Sequence, residues 1–416
     1  MKNEKQALVP RLRFPEFREA GEWDFRELED ACEVNPSNSA LPESFVYIDL
    51  ESVESGQLIK KKKISQEGAP SRAQRILRSG DVIFQIVRPY QKNNLFCDFN
   101  DNEKYVASTG YAQLRAFGSK EFLYQVIHTQ DFVARVLAKC TGSNYPAINS
   151  SDLAKIQLAV PKQEEQQKIA DCLSSLDALI AAQADKINAL KTHKKGLMQQ
   201  LFPREGETAP RLRFPEFREA GEWARKQLGE IAKIYKGKGI SKADITADGV
   251  HPCVRYGELY TSYGELIDVV ISKTNISANE LFVSRKGDVV IPSSGETKLD
   301  IATAACVMHN GIALGSDLNV IRSKQNGAFL SYYLNGSMRL EIAKVAQGDT
   351  VAHLYKSNLE KLSLALPRKK EQQKIADCLS SLDALIAAQA DKLDALKAHK
   401  KGLMQQLFPP AKKVKR

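Results

Sequence analysis

Long apolar runs are missing from this chain: nothing approaches the ~18 consecutive apolar residues of a membrane span, and Met1 leads into Lys2, Asn3, Glu4 and Lys5 with no apolar segment behind it. A soluble, cytoplasmic protein without a membrane partner is expected. No Cys-x-x-Cys pair occurs among the seven cysteines, an odd and widely spaced set, so neither a disulfide framework nor a zinc knuckle is expected. The six histidines are scattered, which argues against a metal centre or a catalytic triad. Gly237-Lys238 lacks the upstream glycine of a nucleotide-phosphate loop and is followed by Gly239 rather than Ser or Thr. Asn35-Pro36 is followed by Ser37, so the Asn-Pro-Pro-aromatic element of an exocyclic-amine methyltransferase is absent too. Asp81 and Asp288 precede apolar stretches, but no Glu-x-Lys pair follows as a nuclease would require, and a turn role beside Gly80 and Gly287 is expected. The chain reads as a binder, not an enzyme, with no metal and no cofactor of its own.

What is present is a duplication. Pro10 to Trp23 recurs without a mismatch as Pro210 to Trp223, and Glu165 to Pro203 recurs as Glu371 to Pro409 with 36 of 39 positions identical. The 416 residues therefore divide into a conserved segment (1–23), a variable domain (24–164), a repeated helix (165–203), a linker with the second conserved segment (204–223), a second variable domain (224–370), a second helix (371–409) and a basic tail (410–416). The variable domains share landmarks: Arg78-Ser79-Gly80-Asp81-Val82 with Arg285-Lys286-Gly287-Asp288-Val289, and Arg115 with Arg322. Short alternating stretches punctuated by polar loops, such as Val82 to Val87 and Val289 to Ile291, predict two α+β domains of mostly short strands.

In the first repeated helix the seam Ile169, Leu173, Leu176, Ile180, Gln183, Ile187, Leu190, Lys194, Leu197 and Leu201 steps by four and three. The second repeats it through Ile375, Leu379, Leu382, Ile386, Gln389, Leu393, Leu396, Lys400, Leu403 and Leu407. This is a coiled-coil pattern. Glu164 and Glu165 suit the positive end of the helix dipole, and Pro203 stops the helix. The nearest partner for each stripe is the other copy, which gives an antiparallel pair related by a pseudo-two-fold axis; pairing with a separate chain is the other reading. Gln183, Lys194, Gln389 and Lys400 are candidates to fix its register.

A net charge of +10 favours a polyanion, and the polar and basic residues that could read one lie where the copies differ. In the first domain these are Lys61 and Lys62, then Arg88, Tyr90, Gln91, Lys92, Asn93 and Asn94, with Ser108, Thr109, Ser143, Asn144 and Tyr145. In the second they are Lys236, Lys238, Ser241 and Lys242, Arg255 and Tyr256, then Ser293, Ser294, Glu296, Thr297 and Lys298, with Thr350, His353 and Tyr355. Arg, Gln and Asn can bond base edges in pairs, whereas Lys, Ser and Thr hold phosphates. The tail residues Lys412, Lys413, Lys415 and Arg416 add phosphate attraction.

The Pro-Arg-Leu-Arg-Phe-Pro-Glu-Phe opening, a variable domain closing on Ser-x-Leu and Leu-x-x-Pro, and a Glu-Gln-Gln-x-x-Ile helix, all occurring twice, resemble the specificity subunit of type I restriction-modification systems. The resemblance implies that 24–164 and 224–370 are target recognition domains, each reading half of a bipartite double-stranded DNA site. It implies that the helices space them and dock two modification subunits, which methylate adenine with S-adenosylmethionine, and that ATP-dependent motor-nuclease subunits join for cleavage. Because the domains differ, an asymmetric target is expected. The reading that competes with it is a coiled-coil scaffold whose variable domains bind proteins.

Overall fold

The computed structural model describes residues 8–38, 40–348 and 351–409. The expected Thr350 contact and the basic tail lie outside them. The chain forms two compact units, one taking residues up to 183 and from 392 onward, the other residues 184–391. The division passes through both long helices, Gln163–Leu201 and Lys369–Leu407, so each unit holds one variable domain, the first half of the helix that follows it and the last half of the other helix. Both helices start two residues earlier than the repeat suggests, and each ends at the leucine before Phe202 or Phe408. Among the described residues no helix is long and apolar enough to cross a membrane.

In the first unit two four-stranded sheets stack. One runs Cys32–Val34, Tyr111–Ala116, Val82–Gln85, Leu95–Phe96, and the other Lys62–Ser65, Ser44–Ile48, Tyr105–Ser108, Ala73–Leu77. Val82–Gln85 is buried at every position, which corrects the alternating in-and-out pattern that its sequence suggests. Val82 and Phe84 face the helices while Ile83 faces the second sheet, so both sides of the strand are covered. Val289–Pro292 repeats this in the second unit, in the middle of a five-stranded sheet, with Val289 and Ile291 on one core and Val290 on another.

The shared landmarks are one ion pair drawn twice, a half-buried arginine on a buried aspartate. Arg115 Nε and Nη2 donate to the Asp81 carboxylate at 2.8 and 2.9 Å, and Arg322 does the same to Asp288 at 2.9 and 2.6 Å. Each aspartate also accepts the N–H of the arginine three residues earlier, Arg78 or Arg285, at 2.8 Å. That closes a turn whose Gly80 and Gly287 sit at φ near +92° and +91°, a left-handed backbone that costs other residues energy. These carboxylates are structural.

The identical blocks meet each other. In the first unit Arg13 clamps Glu165, at the start of the long helix, with two 2.7 Å bonds, and Trp23 Nε1 donates to the same carboxylate at 3.3 Å. Glu165 is 1% exposed, so it does far more than complement a helix dipole at the surface. The N–H of Leu12 satisfies the Gln406 carbonyl in the last turn of the second helix at 2.9 Å, and Phe408 packs edge-on against Trp23. Arg213, Glu371, Trp223, Leu212 and Gln200 make the same bonds in the second unit. There Phe202, the counterpart of Phe408, stacks on Tyr333 at 5.1 Å.

All sixteen apolar seam residues are buried or half-buried. Within the first unit Ile169 and Leu173 share a core with Leu407, while Asp177, further along, meets Lys400 at 2.6 Å. The segments therefore run antiparallel. In the second unit Lys194 meets Asp383 at 2.6 Å, the same pair with the copies exchanged. The two lysine seam positions are thus paired with aspartates on the facing helix, and Gln183 is buried.

Candidate nucleic-acid interface

In the first unit the loop after Val82–Gln85 is held by its own amides. Asn94 accepts the Gln85 N–H at 2.8 Å, the Gln85 side-chain amide donates to Gln91 at 2.8 Å, and the Asn93 N–H donates to the Gln85 side chain at 3.2 Å. Arg88 and Lys92, both with φ +56°, flank the turn Pro89–Gln91. Such left-handed positions at non-glycine residues cost about 1 kcal/mol or more each and gather at functional loops.

A second segment joins this loop. Val87 bridges Ala147, and the Arg88 N–H donates to Pro146 O at 2.7 Å. That sets the hairpin closed by Thr141 and Ala147 beside the loop, with Ser143, Asn144 and Tyr145 exposed at its tip. The Arg88 guanidinium lies 4.3 Å over the Tyr145 ring, which is 63% exposed. Arg88, Tyr90, Gln91 and the tip thus form one surface of arginine, amide and aromatic groups.

The second unit builds the same device from other side chains. Gln347 bridges His353 as Thr141 bridges Ala147, and Gly348 and Gly142 share φ near +96° and +90°. Ser294–Gly295 pairs with Ala352–His353. Beside this ladder His353 stacks on Tyr355, which is 52% exposed, and Glu296 and Lys298 are exposed on the adjoining loop.

Several expected contact residues do other work. Asn94, Ser108 and Ser293 are buried at 1%, 4% and 5% exposure. Asn94 organises its loop, Ser108 accepts the Gly110 N–H, and Ser293 accepts from Lys236. Ser241 caps the turn Lys242–Asp244, and Thr297 bonds Asp300. Arg255 is neutralised by Glu258 at 2.9 Å, and Tyr256 leans on Tyr260. Lys61 pairs with Asp101, and its neighbours Lys60 and Lys63 pair with Glu51 and Glu103, leaving Lys62 exposed on an edge strand. Thr109 is half-buried, while Lys238 and Lys242 are exposed on the loop after the strand Ala232–Lys236.

Sequence reasoning missed His128, whose Nδ1 lies 2.6 Å from Tyr124 O and whose Nε2 lies 3.2 Å from the Asn94 amide nitrogen. The ring therefore carries its proton on Nδ1 and braces the loop through Nε2. A lone histidine 34 residues from its partner leaves no pattern to detect. Burial first, then Lys400 and Lys92 against the opposing Tyr124 bond, lowers its pKa to about 4. The unfolded ring titrates near 6.5, so between these values the unfolded chain binds the extra proton. The stability from neutral His128 is then complete above about pH 6.5 and is lost as pH falls towards 4, about 3 kcal/mol in all. An NMR titration midpoint near 4 for His128, and a flatter acid limb of stability in His128→Gln, are the expected results.

Among the described residues no cluster of His, Cys, Asp and Glu is placed to hold a metal ion, and all seven cysteines are free.

The duplicated fold and its paired loops define a family, and the chain belongs to it: its sequence matches the type I restriction modification DNA specificity domain twice, over residues 20–192 and 220–398. It is a specificity subunit, distinct from the subunits that methylate and cleave. The specificity subunit of the type I restriction enzyme MjaVIII of Methanocaldococcus jannaschii is 24% identical over 287 residues, spanning 66% of this chain and 66% of its own length. A chain solved in work on complex assembly and conformational transition of the type I R-M system shares the fold with a TM-score of 0.58 at 24% identity, covering 93% of this chain and 97% of that one. The type I restriction-modification S subunit from M. genitalium does so at 0.57 and 15% identity, covering 97% and 100%.

Proposed function

We propose that the chain reads an asymmetric, bipartite double-stranded DNA target, one half-site per variable domain, and docks two modification subunits and the restriction subunits in the cytoplasm. The observation that carries this is the repeated loop-and-hairpin device, the same hairpin closure in both domains with different exposed or half-buried side chains: Arg88, Gln91 and Tyr145 in one, Glu296, Lys298, His353 and Tyr355 in the other. Equal scaffolds with unequal tips suit two different half-sites. Exposed Lys62, Lys238 and Lys242 and half-buried Lys92 would add phosphate contacts.

A pair of identical partners is supported by the helices, which expose the same apolar residue in each copy, Leu179 at 55% and Leu385 at 43%. The partners would supply S-adenosylmethionine and the adenine chemistry, and the two long helices would set the unread gap. Methylation mapping in a strain expressing this chain with its partners tests the reading. A bipartite motif with unlike halves is expected, and a palindrome would overturn it. Arg88→Ala should cost about 1–3 kcal/mol of binding and relax one half-site while leaving the other intact, read by the same mapping.

A further inference from the structure

A cavity of about 660 Å³ opens in the first unit between the turn at Ser55 and Gly56, the loop at Gln91 and Lys92, the segment at His128 and the last turns of the second long helix. Five cations line it, Arg11, Lys92, Lys397, Lys400 and Lys401, against two carboxylates. Both carboxylates are engaged: Asp131 by Arg135 at 3.0 Å, and Asp177 by Lys400 at 2.6 Å. Among the described residues no carboxylate pairs with Arg11, Lys397 or Lys401. Lys92 is half-buried in this company, and burial together with Lys401 disfavours its charged form, so the cavity concentrates positive charge that an anion would relieve.

The second unit shows that the repeated helix alone does not create this excess. Its Lys194 repeats Lys400, yet there the variable domain contributes Glu265, at 2.6 Å, in addition to Asp383. Among the described residues no acid of the first variable domain pairs with Lys400. Gln91, which belongs to the reading loop, lines the same cavity.

We propose that this cavity holds a backbone phosphate of the DNA strand whose bases the Arg88–Asn94 loop reads, with Lys397 and Lys401 of the spacer helix as phosphate-positioning residues. The inference rests on the DNA-reading role proposed above. It makes the helix a part of the first half-site's grip and not of the second's.

The experiment uses the full chain with its partner subunits and a duplex carrying its methylated motif. Counterion release lowers log K by about 0.9 per log unit of salt for each phosphate neutralised. Lys397→Ala/Lys401→Ala should therefore make the slope shallower by about 1, with the methylated motif and the thermal unfolding unchanged. Lys191→Ala/Lys195→Ala, the same change in the other copy, should move the slope by less than half as much, and Lys401→Arg should keep it. An unchanged slope, or equal shifts from both double variants, would overturn the proposal. Stabilisation by millimolar inorganic phosphate that only Lys397→Ala/Lys401→Ala loses, with an unchanged DNA slope, would assign the cavity to free phosphate and also overturn it. Failure of the underlying role looks different: the wild-type complex would then show no motif-specific, salt-sensitive binding at all.

Discussion

Glu165→Ala should destabilise the first unit by about 3–5 kcal/mol, because it strips the partner from Arg13 in a site where the two side chains are 7% and 2% exposed. The loss exceeds that of a surface ion pair, which is typically below about 1 kcal/mol. It would also leave the Trp23 N–H without its acceptor, and it would loosen the segment that caps the second helix through the Leu12 N–H. Glu371→Ala should do the same to the second unit, where Arg213 and Trp223 hold that carboxylate. Urea unfolding followed by circular dichroism should show each variant shifting a different part of the transition. Replacing both members of the first pair with apolar residues, Arg13→Met with Glu165→Leu, should recover part of the loss, since no buried charge is then left unpaired. A change of under 1 kcal/mol for Glu165→Ala would mean that the clamp is not what the identical blocks preserve.

Replacing residues 24–160 by a second copy of 224–366 should convert the asymmetric target into a symmetric one, both halves being the present second half-site. The exchange is structurally permitted because the two domains enter and leave on the same ladder. Asp24 faces Val160 and Glu27 faces Gln157, just as Ala224 faces Leu366 and Gln227 faces Ser363. The clamp and both long helices lie outside the exchanged segments. Recognition of the original first half-site should vanish, since each mismatched base pair costs about 1–3 kcal/mol and the costs add over a half-site. Methylation mapping reads the outcome directly. Retention of the original first half-site would show that 24–160 is not its reader.

The duplication, the long helices with their seams and the glycine-aspartate turns were all legible in the sequence, because each is a local pattern. A four-three spacing marks a helical stripe wherever it packs, and glycine followed by aspartate marks a tight turn. The seam lysines were recognisable as exceptions, although not as partners of Asp177 and Asp383. The reading surface was legible only as a set of loops. Asn94, Ser108 and Ser293 have the composition of contact residues and lie inside, since a polar side chain in a loop serves the loop's own backbone as readily as a partner.

By itself the sequence determined that this protein is one unit of about 200 residues written twice, with connectors held identical and domains free to differ. What the identical connectors hold together, and which loops share a surface, emerges only once the chain is folded. Arg13 meets Glu165 across 152 residues, the hairpin tip reaches Arg88 through the Val87–Ala147 bridge, and Lys401 shares a cavity with Lys92. Periodicity and turn chemistry act over a few residues and leave a local trace. Convergence of distant segments is set by how two sheets and two helix halves bury their apolar faces, and no short stretch of chain carries that information.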